Sequence, residues 1–223
     1  MSCRLLFVHG WGCGAGVWRP LLRFLPEIEA DILDLGFFGR PNLTIPTQHP
    51  FIAVGHSLGF LWLLNQLDNE IFAKQCLGLI SINGFSRFSF SHDFPHGIAS
   101  RILKRMTLRL TTEPVEVIRE FGRQSGLEQA LSIPARVNVE ALSLGLSWLA
   151  QWDQRTQLTQ WRGELWALAS EDDQIVTPAL TRDVFAQCQP GVIHWLPSGG
   201  HLLPLTRPET CAALIADSIK TLP

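Results

Sequence analysis

The 223-residue chain has little charge, no long apolar run and few cysteines. Charged residues make up 17% of it and the formal net charge is −2, which argues against a general nucleic-acid binder. No stretch approaches the roughly 20 apolar residues that span a bilayer, so we expect no membrane segment. The apolar run at residues 5–8 is too short for a signal-peptide core, and we expect a cytoplasmic protein.

The cysteines are odd in number and scattered, and their spacing is not that of metal ligands. Such a set is typical of reduced thiols in a cytosolic protein and argues against a disulfide framework. They are Cys3, Cys13, Cys76, Cys188 and Cys211. The sequence therefore predicts no metal site, and it implies no cofactor.

Short apolar runs alternate with helical patterns along most of the chain. Strands are predicted at residues 5–8, 31–35, 51–54, 76–82, 164–169 and 191–196. Helical patterns lie at residues 17–25, 58–68, 178–188 and 208–220. This alternation predicts one α/β domain with a mostly parallel central sheet and helices on both faces.

One stretch breaks the alternation, because residues 85–157 contain no convincing strand. Helical patterns occur there at residues 97–110, 114–125 and 136–151. We therefore predict a helical cap at residues 85–157, inserted into a core that comprises residues 1–84 and 158–223.

The most informative motif is the sequence Gly55-His-Ser-Leu-Gly59, which lies between a predicted strand and a predicted helix. In that setting a G-x-S-x-G sequence forms a nucleophile elbow, a tight turn that exposes the serine hydroxyl. The two glycines keep β-carbons out of the crowded space beside the turn. The motif predicts Ser57 as a nucleophile and the backbone N–H of Leu58 as an oxyanion donor.

A serine hydroxyl becomes a good nucleophile when a histidine takes its proton and a carboxylate orients that histidine. Asp173 follows the predicted strand at 164–169 and His201 follows the strand at 191–196, so both should lie at the same sheet edge as Ser57. Spacing excludes neither Asp172 nor Glu171 as the acid. His56, inside the elbow, is interpreted as a structural residue that points away from the serine.

A second oxyanion donor is expected from the glycine-rich loop at residues 9–16, which follows the first strand. The backbone N–H of Trp11 is the natural partner of the Leu58 N–H. Glycine-rich loops also bind phosphates, but this loop matches neither G-x-x-x-x-G-K-[ST] nor G-x-G-x-x-G. A nucleotide site is therefore not expected.

The combined motifs resemble those of α/β-hydrolases over nearly the whole chain. Within that superfamily the chain is most similar to the biotin-synthesis esterases that demethylate pimeloyl-[acyl-carrier protein] methyl ester. The resemblance rests on His9-Gly-Trp-Gly with Val17-Trp18, Asp34-Leu-Gly-Phe-Phe-Gly-Arg40, Gly55-His-Ser-Leu-Gly59, and Asp173-Gln-Ile-Val176 with Gly200-His201. The chain differs from the family pattern at residues 83–85, where a run of small residues is usual.

The resemblance implies a serine carboxylesterase with Ser57, Asp173 and His201 as its triad and Trp11 and Leu58 as oxyanion donors. Hydrolases of this fold usually place the acid three residues before Val or Ile, which favours Asp173. The implied substrate is a small-molecule or carrier-bound ester. A lipase-type esterase, a lyase or C–C hydrolase of the menaquinone-pathway type, and a non-catalytic binding protein on the same fold are the alternatives.

Basic residues are concentrated in the first part of the predicted cap, where residues 87–109 contain five of them and one acidic residue. Arg101, Arg105 and Arg109 recur every four residues and share one face of a helix, close to Lys104. This face is either solvated or a docking surface for an acidic acyl-carrier protein. We expect the protein itself to be a monomer.

Overall fold

The central feature of the fold is a sheet of six strands that all run parallel, among the residues that the structure describes. The structure is a computed structural model that describes residues 4–46, 48–126, 136–188 and 192–221. The strands are β1 (Arg4–Val8), β2 (Ala30–Leu33), β3 (Phe51–His56), β4 (Cys76–Ile82), β5 (Glu164–Ser170) and β6 (Ile193–Leu196). Their order across the sheet is β2-β1-β3-β4-β5-β6. The predicted α/β fold with a parallel sheet is therefore confirmed.

Helices flank the sheet, and in the part of the chain that the structure describes four of them lie between β4 and β5. The helices are α1 (Arg19–Leu22), α2 (Leu58–Gln66), α3 (Glu70–Gln75), α4 (Ser100–Leu110), α5 (Pro114–Gln124), α6 (Val139–Gln151), α7 (Arg155–Gln160), α8 (Pro178–Phe185), α9 (Leu203–Thr206) and α10 (Pro208–Lys220). Within the described ranges, no helix has the length and apolar character that a membrane crossing needs.

Several helices begin where local sequence chemistry favours it. Pro114, Pro178 and Pro208 occupy the first position of α5, α8 and α10, where a missing N–H is harmless. The side chain of Asn138 caps α6 by accepting the N–H of Ala141 at 3.1 Å. These signals favour helix starts at these residues.

The sheet separates two apolar cores because successive strand residues point to opposite faces. Leu5 and Phe7 of β1 belong to one core, together with residues of α10. Leu6 and Val8 belong to the other core, which also receives residues of α2, α4, α5 and α6. Both faces of the sheet are thus covered, which explains why its strands read as continuous apolar runs.

The inserted helices α4, α5 and α6 share their core with the sheet, since their buried apolar residues belong to the same cluster as those of α2. The predicted boundary between cap and core at residues 157 and 158 falls inside α7, which packs against α2. The division into cap and core stays a prediction.

Two sequence-based predictions involve residues outside the described ranges. Cys3 lies there, whereas the other four cysteines are present as thiols. The predicted start of the last strand at Gly191 also lies there, and β6 begins at Ile193.

Candidate active site

Ser57 occupies a strained turn between β3 and α2. Its backbone has φ 52° and ψ −123°, a conformation that costs energy for a residue with a β-carbon. A β-carbon on Gly55 would lie 2.4 Å from Cα of Phe60, and one on Gly59 would lie 2.1 Å from the carbonyl oxygen of Val8. The two glycines of the motif are therefore required by close backbone packing on either side of the serine.

Ser57, His201 and Asp173 form a continuous row of hydrogen bonds at the carboxyl edge of the sheet. His201 Nε2 lies 2.9 Å from Ser57 Oγ, and His201 Nδ1 lies 2.7 Å from Asp173 Oδ2. All three residues are buried. The row is consistent with a neutral imidazole that donates its Nδ1–H to the carboxylate and accepts the serine proton at Nε2.

The two candidate aspartates have different contacts. Asp173 Oδ1 accepts the backbone N–H groups of Ile175 and Val176 at 2.8 and 2.9 Å, which fixes Oδ2 toward His201. Asp172 Oδ1 instead accepts the N–H groups of Gly199 and Gly200 at 3.0 and 2.8 Å. The geometry favours Asp173 as the acid and gives Asp172 a role in holding the loop before His201.

The pKa of the Asp172 carboxyl reflects that role. Partial burial raises this pKa, but hydrogen bonds from the Ser170 hydroxyl and from the N–H groups of Gly200 and Gly199 outweigh burial. The net effect lowers the pKa, so Asp172 remains an anion that accepts hydrogen bonds from the loop. Glu171 is exposed.

Two further residues that the sequence did not identify as site residues hold the backbone of His201. His56 Nε2 lies 2.9 Å from the carbonyl oxygen of His201, and the Asn83 amide donates to the same oxygen at 3.0 Å. Burial, followed by repulsion from His201, lowers the pKa of His56 to about 3. His56 is therefore neutral, and it donates a hydrogen bond to the backbone of the loop that carries His201.

The glycine-rich loop lies directly against the serine. A β-carbon on Gly10 would be 3.0 Å from Cβ of Ser57, so the loop backbone approaches the nucleophile closely. The Cys13 N–H donates to the Gly10 carbonyl at 3.3 Å and closes a turn around Trp11. This places the Trp11 and Leu58 backbones beside Ser57, and their function as oxyanion donors stays a prediction.

Helix α5 and Trp11 cover the site. The Phe121 ring packs edge-on against both the His201 and the Trp11 rings, at centroid distances of 6.0 and 5.1 Å. The His201 N–H donates to the Ser125 carbonyl at the end of α5, at 3.0 Å. Ser57 is only 4% exposed, so the proposed nucleophile lies beneath this cover.

Three of the four basic residues predicted to share a face of α4 are exposed to solvent, and the fourth forms ion pairs within the chain. Arg101, Lys104 and Arg105 are exposed. Arg109 instead donates to Glu120 at 2.6 Å and to Glu113 at 3.0 Å, so its charge is already matched within the chain. The part of Arg109 in a docking surface stays a prediction. Leu108, 73% exposed, lies on the same outward face as the three exposed cations.

Comparisons with known proteins identify similar esterases. No protein-family model matches the chain. The chain is 29% identical over 245 residues to the biotin biosynthesis bifunctional protein BioHC of Cellvibrio japonicus, covering 98% of the chain but only 48% of that protein. It is 27% identical over 248 residues to a pimeloyl-[acyl-carrier protein] methyl ester esterase of Xylella fastidiosa, covering 98% of the chain and 96% of the esterase.

Solved structures establish the fold. An esterase from Exiguobacterium antarcticum matches with a TM-score of 0.85 at 13% identity, over 98% of the chain and 92% of the esterase. The chain has the α/β-hydrolase fold. The resemblance to pimeloyl-[acyl-carrier protein] methyl ester esterases that the motifs predict is confirmed.

Proposed function

We propose that this chain, an esterase with the α/β-hydrolase fold, hydrolyses carboxylic esters through a covalent intermediate on Ser57. The observation that carries the proposal is the buried hydrogen-bonded row from Ser57 through His201 to Asp173. Ser57 attacks the ester carbonyl while His201 accepts its proton at Nε2. Asp173 holds the imidazole in the required tautomer and stabilises its positive charge once the proton has moved.

The negative charge that develops on the carbonyl oxygen needs donors beside Ser57. The N–H groups of Trp11 and Leu58 are proposed for this task, and each such donor typically contributes roughly 3 kcal/mol. His201 then gives its proton to the departing alcohol. In the second half of the reaction His201 activates a water molecule, which releases the acid and restores Ser57.

The proposed substrate is the methyl ester of pimeloyl-[acyl-carrier protein], used in biotin synthesis. Relatives at 27–29% identity carry that name or the name of a biotin-synthesis protein, which supports the proposal. An acyl-carrier protein is acidic, so a basic surface on the enzyme would raise its association rate.

The outward face of α4 provides such a surface. Arg101, Lys104, Arg105 and Leu108 are spaced to share that face, with three cations around an exposed leucine. Like charges at this spacing repel by a few tenths of a kcal/mol per pair, and an acidic partner would offset that cost. We propose this face as the docking surface for the carrier protein.

Esterase chemistry is tested with a short-chain p-nitrophenyl ester. We expect turnover by the native chain and none above background by Ser57→Ala. Absence of turnover by the native protein, with intact folding, would favour a lyase, a C–C hydrolase or a non-catalytic protein.

Docking is tested by reversing two charges, Arg101→Glu with Arg105→Glu. We expect KM for a carrier-bound ester to rise at least tenfold and kinetics on the small ester to stay within twofold. A charge-matched control, Arg23→Glu with Lys74→Glu, changes exposed residues outside α4 and should leave both substrates unaffected. Equal effects of the α4 variant on both substrates would refute the docking surface.

The substrate proposal has its own genetic test. The chain should restore growth without biotin to a bacterium that lacks its pimeloyl ester esterase, and Ser57→Ala should not. Esterase activity in vitro without any rescue would place the physiological substrate elsewhere.

A further inference from the structure

Asn83 lies immediately after β4, at the same sheet edge as the triad. Its side chain is 2% exposed and its backbone has φ 45°, in the left-handed region. A buried polar side chain on a strained backbone persists only when surrounding contacts compensate for both costs. The ester chemistry proposed above assigns no step to this residue.

The Asn83 amide connects the loops that carry the acid and the base. Its Nδ2 donates to the carbonyl oxygens of Gly200 at 2.9 Å and of His201 at 3.0 Å. Its Oδ1 accepts the N–H of Ser170, the last residue of β5, at 3.1 Å. Asp173 follows only three residues later, so one side chain joins both loops.

We propose that Asn83 is a positioning residue that fixes His201 relative to Asp173 and Ser57 for the proposed ester hydrolysis, on which this inference rests. Asn83 touches no reacting atom. It acts through the backbone of residues 200 and 201, whose position sets the reach of the imidazole toward Ser57 Oγ. A small displacement of such a group costs far more in rate than in stability.

Asparagine suits both the backbone conformation and the hydrogen bonds at position 83. The left-handed backbone favours glycine and asparagine, and of these two only asparagine has a side chain. Its amide offers two N–H donors for the two carbonyls and one oxygen for the Ser170 N–H. An aspartate at position 83 would set a carboxylate oxygen against both carbonyls, where no donor would remain.

His56 makes only one of the contacts by which Asn83 positions His201. It contacts the carbonyl oxygen of His201, as Asn83 does, but among its described hydrogen bonds none reaches β5 or Gly200. Among the described hydrogen bonds, removal of the Asn83 side chain would leave the His201 carbonyl oxygen with the His56 contact alone and would remove the bridge from the Ser170 N–H to the carbonyls of Gly200 and His201.

The test compares two variants with a control. Asn83→Gly keeps the left-handed backbone and removes the amide, and Asn83→Asp keeps the shape and removes the donors. We expect kcat on a p-nitrophenyl ester to fall roughly 10- to 100-fold in both variants, with KM within twofold. The control is Asn69→Ala, which deletes the cap of α3 and should lower thermal stability without changing kcat.

Crystal structures of the native chain and of Asn83→Gly provide a readout that does not depend on activity. We expect the distance from His201 Nε2 to Ser57 Oγ, 2.9 Å here, to exceed hydrogen-bond range in the variant. An unchanged distance, or kcat within twofold of the native value, would overturn the inference. If the native chain hydrolyses no ester, the proposed function fails, and the same distance still decides whether Asn83 positions His201.

Discussion

Replacing Asp173 by asparagine tests which of two adjacent carboxylates orients His201. The Asp173 side chain is fully buried, and the Ile175 and Val176 N–H groups bind its Oδ1. In Asp173→Asn the amide oxygen would take that place and the NH₂ group would face His201 Nδ1. The imidazole would then carry its proton on Nε2, toward Ser57, and could not accept the serine proton.

The expected loss is about 10⁴-fold in kcat, the effect of the same change in serine proteases, which corresponds to about 5.5 kcal/mol of transition-state stabilisation. Asp172→Asn is the matched control, because it makes the same chemical change one residue earlier. Asp172 binds the N–H groups of Gly199 and Gly200, and an amide oxygen also accepts such bonds. We expect kcat of this variant to stay within about tenfold of the native value.

The assay is steady-state hydrolysis of a p-nitrophenyl ester, with circular dichroism to verify that both variants are folded. An equal loss of activity in Asp172→Asn and Asp173→Asn would refute the assignment of Asp173 as the acid. Retention of more than a tenth of native kcat in Asp173→Asn would refute it as well.

Three further predictions follow from single contacts. His56 has a folded pKa of about 3 and an unfolded pKa near 6.5, so the unfolded chain binds the proton first and the folded state loses stability as pH falls between these values. Urea unfolding at pH 6.5 and at pH 5 gives the fall in unfolding free energy between these two pH values. This fall should be about 1.5–2 kcal/mol smaller in His56→Gln than in the native chain, and an equal fall in both would contradict the prediction. Gly59→Ala should lower unfolding free energy by about 3 kcal/mol, because its β-carbon would meet the Val8 carbonyl at 2.1 Å; an unchanged Tm would be inconsistent with that packing. Trp11→Phe should lower the free energy of unfolding by about 1 kcal/mol, because the indole N–H donates to the Leu142 carbonyl. The same variant should keep kcat within a few-fold of the native value, because the proposed oxyanion donor is the backbone N–H of residue 11. A large fall in kcat would instead assign the indole a direct role.

Most of the sheet could be predicted because its central strands β1, β3 and β4 are buried on both faces. The predicted strand at residues 76–82 coincides with β4, and the other five differ from prediction by one or two residues at their ends. The short helices α3, α7 and α9 contain six, six and four residues, too few to show a helical period.

The residue types of the candidate site and their order along the chain could be read from the sequence, but the contacts between them could not. Asp172 and Asp173 differ by one position; the family pattern favours Asp173, and the loop geometry brings its carboxylate to His201. Asn83 had no motif to mark it, although residues 83–85 depart from the family pattern. Arg109 could have been paired with Glu113 by spacing, whereas its contact with Glu120 depends on how α4 packs against α5.

The proposed hydrolysis depends on Ser57 acting as a nucleophile that His201 activates. Incubation with a fluorophosphonate, followed by mass spectrometry of the digested protein, tests it most directly. We predict one covalent adduct on Ser57, much slower labelling in His201→Gln, and none in Ser57→Ala. An unmodified Ser57 in the folded native chain, or labelling that is as fast in His201→Gln, would contradict the account.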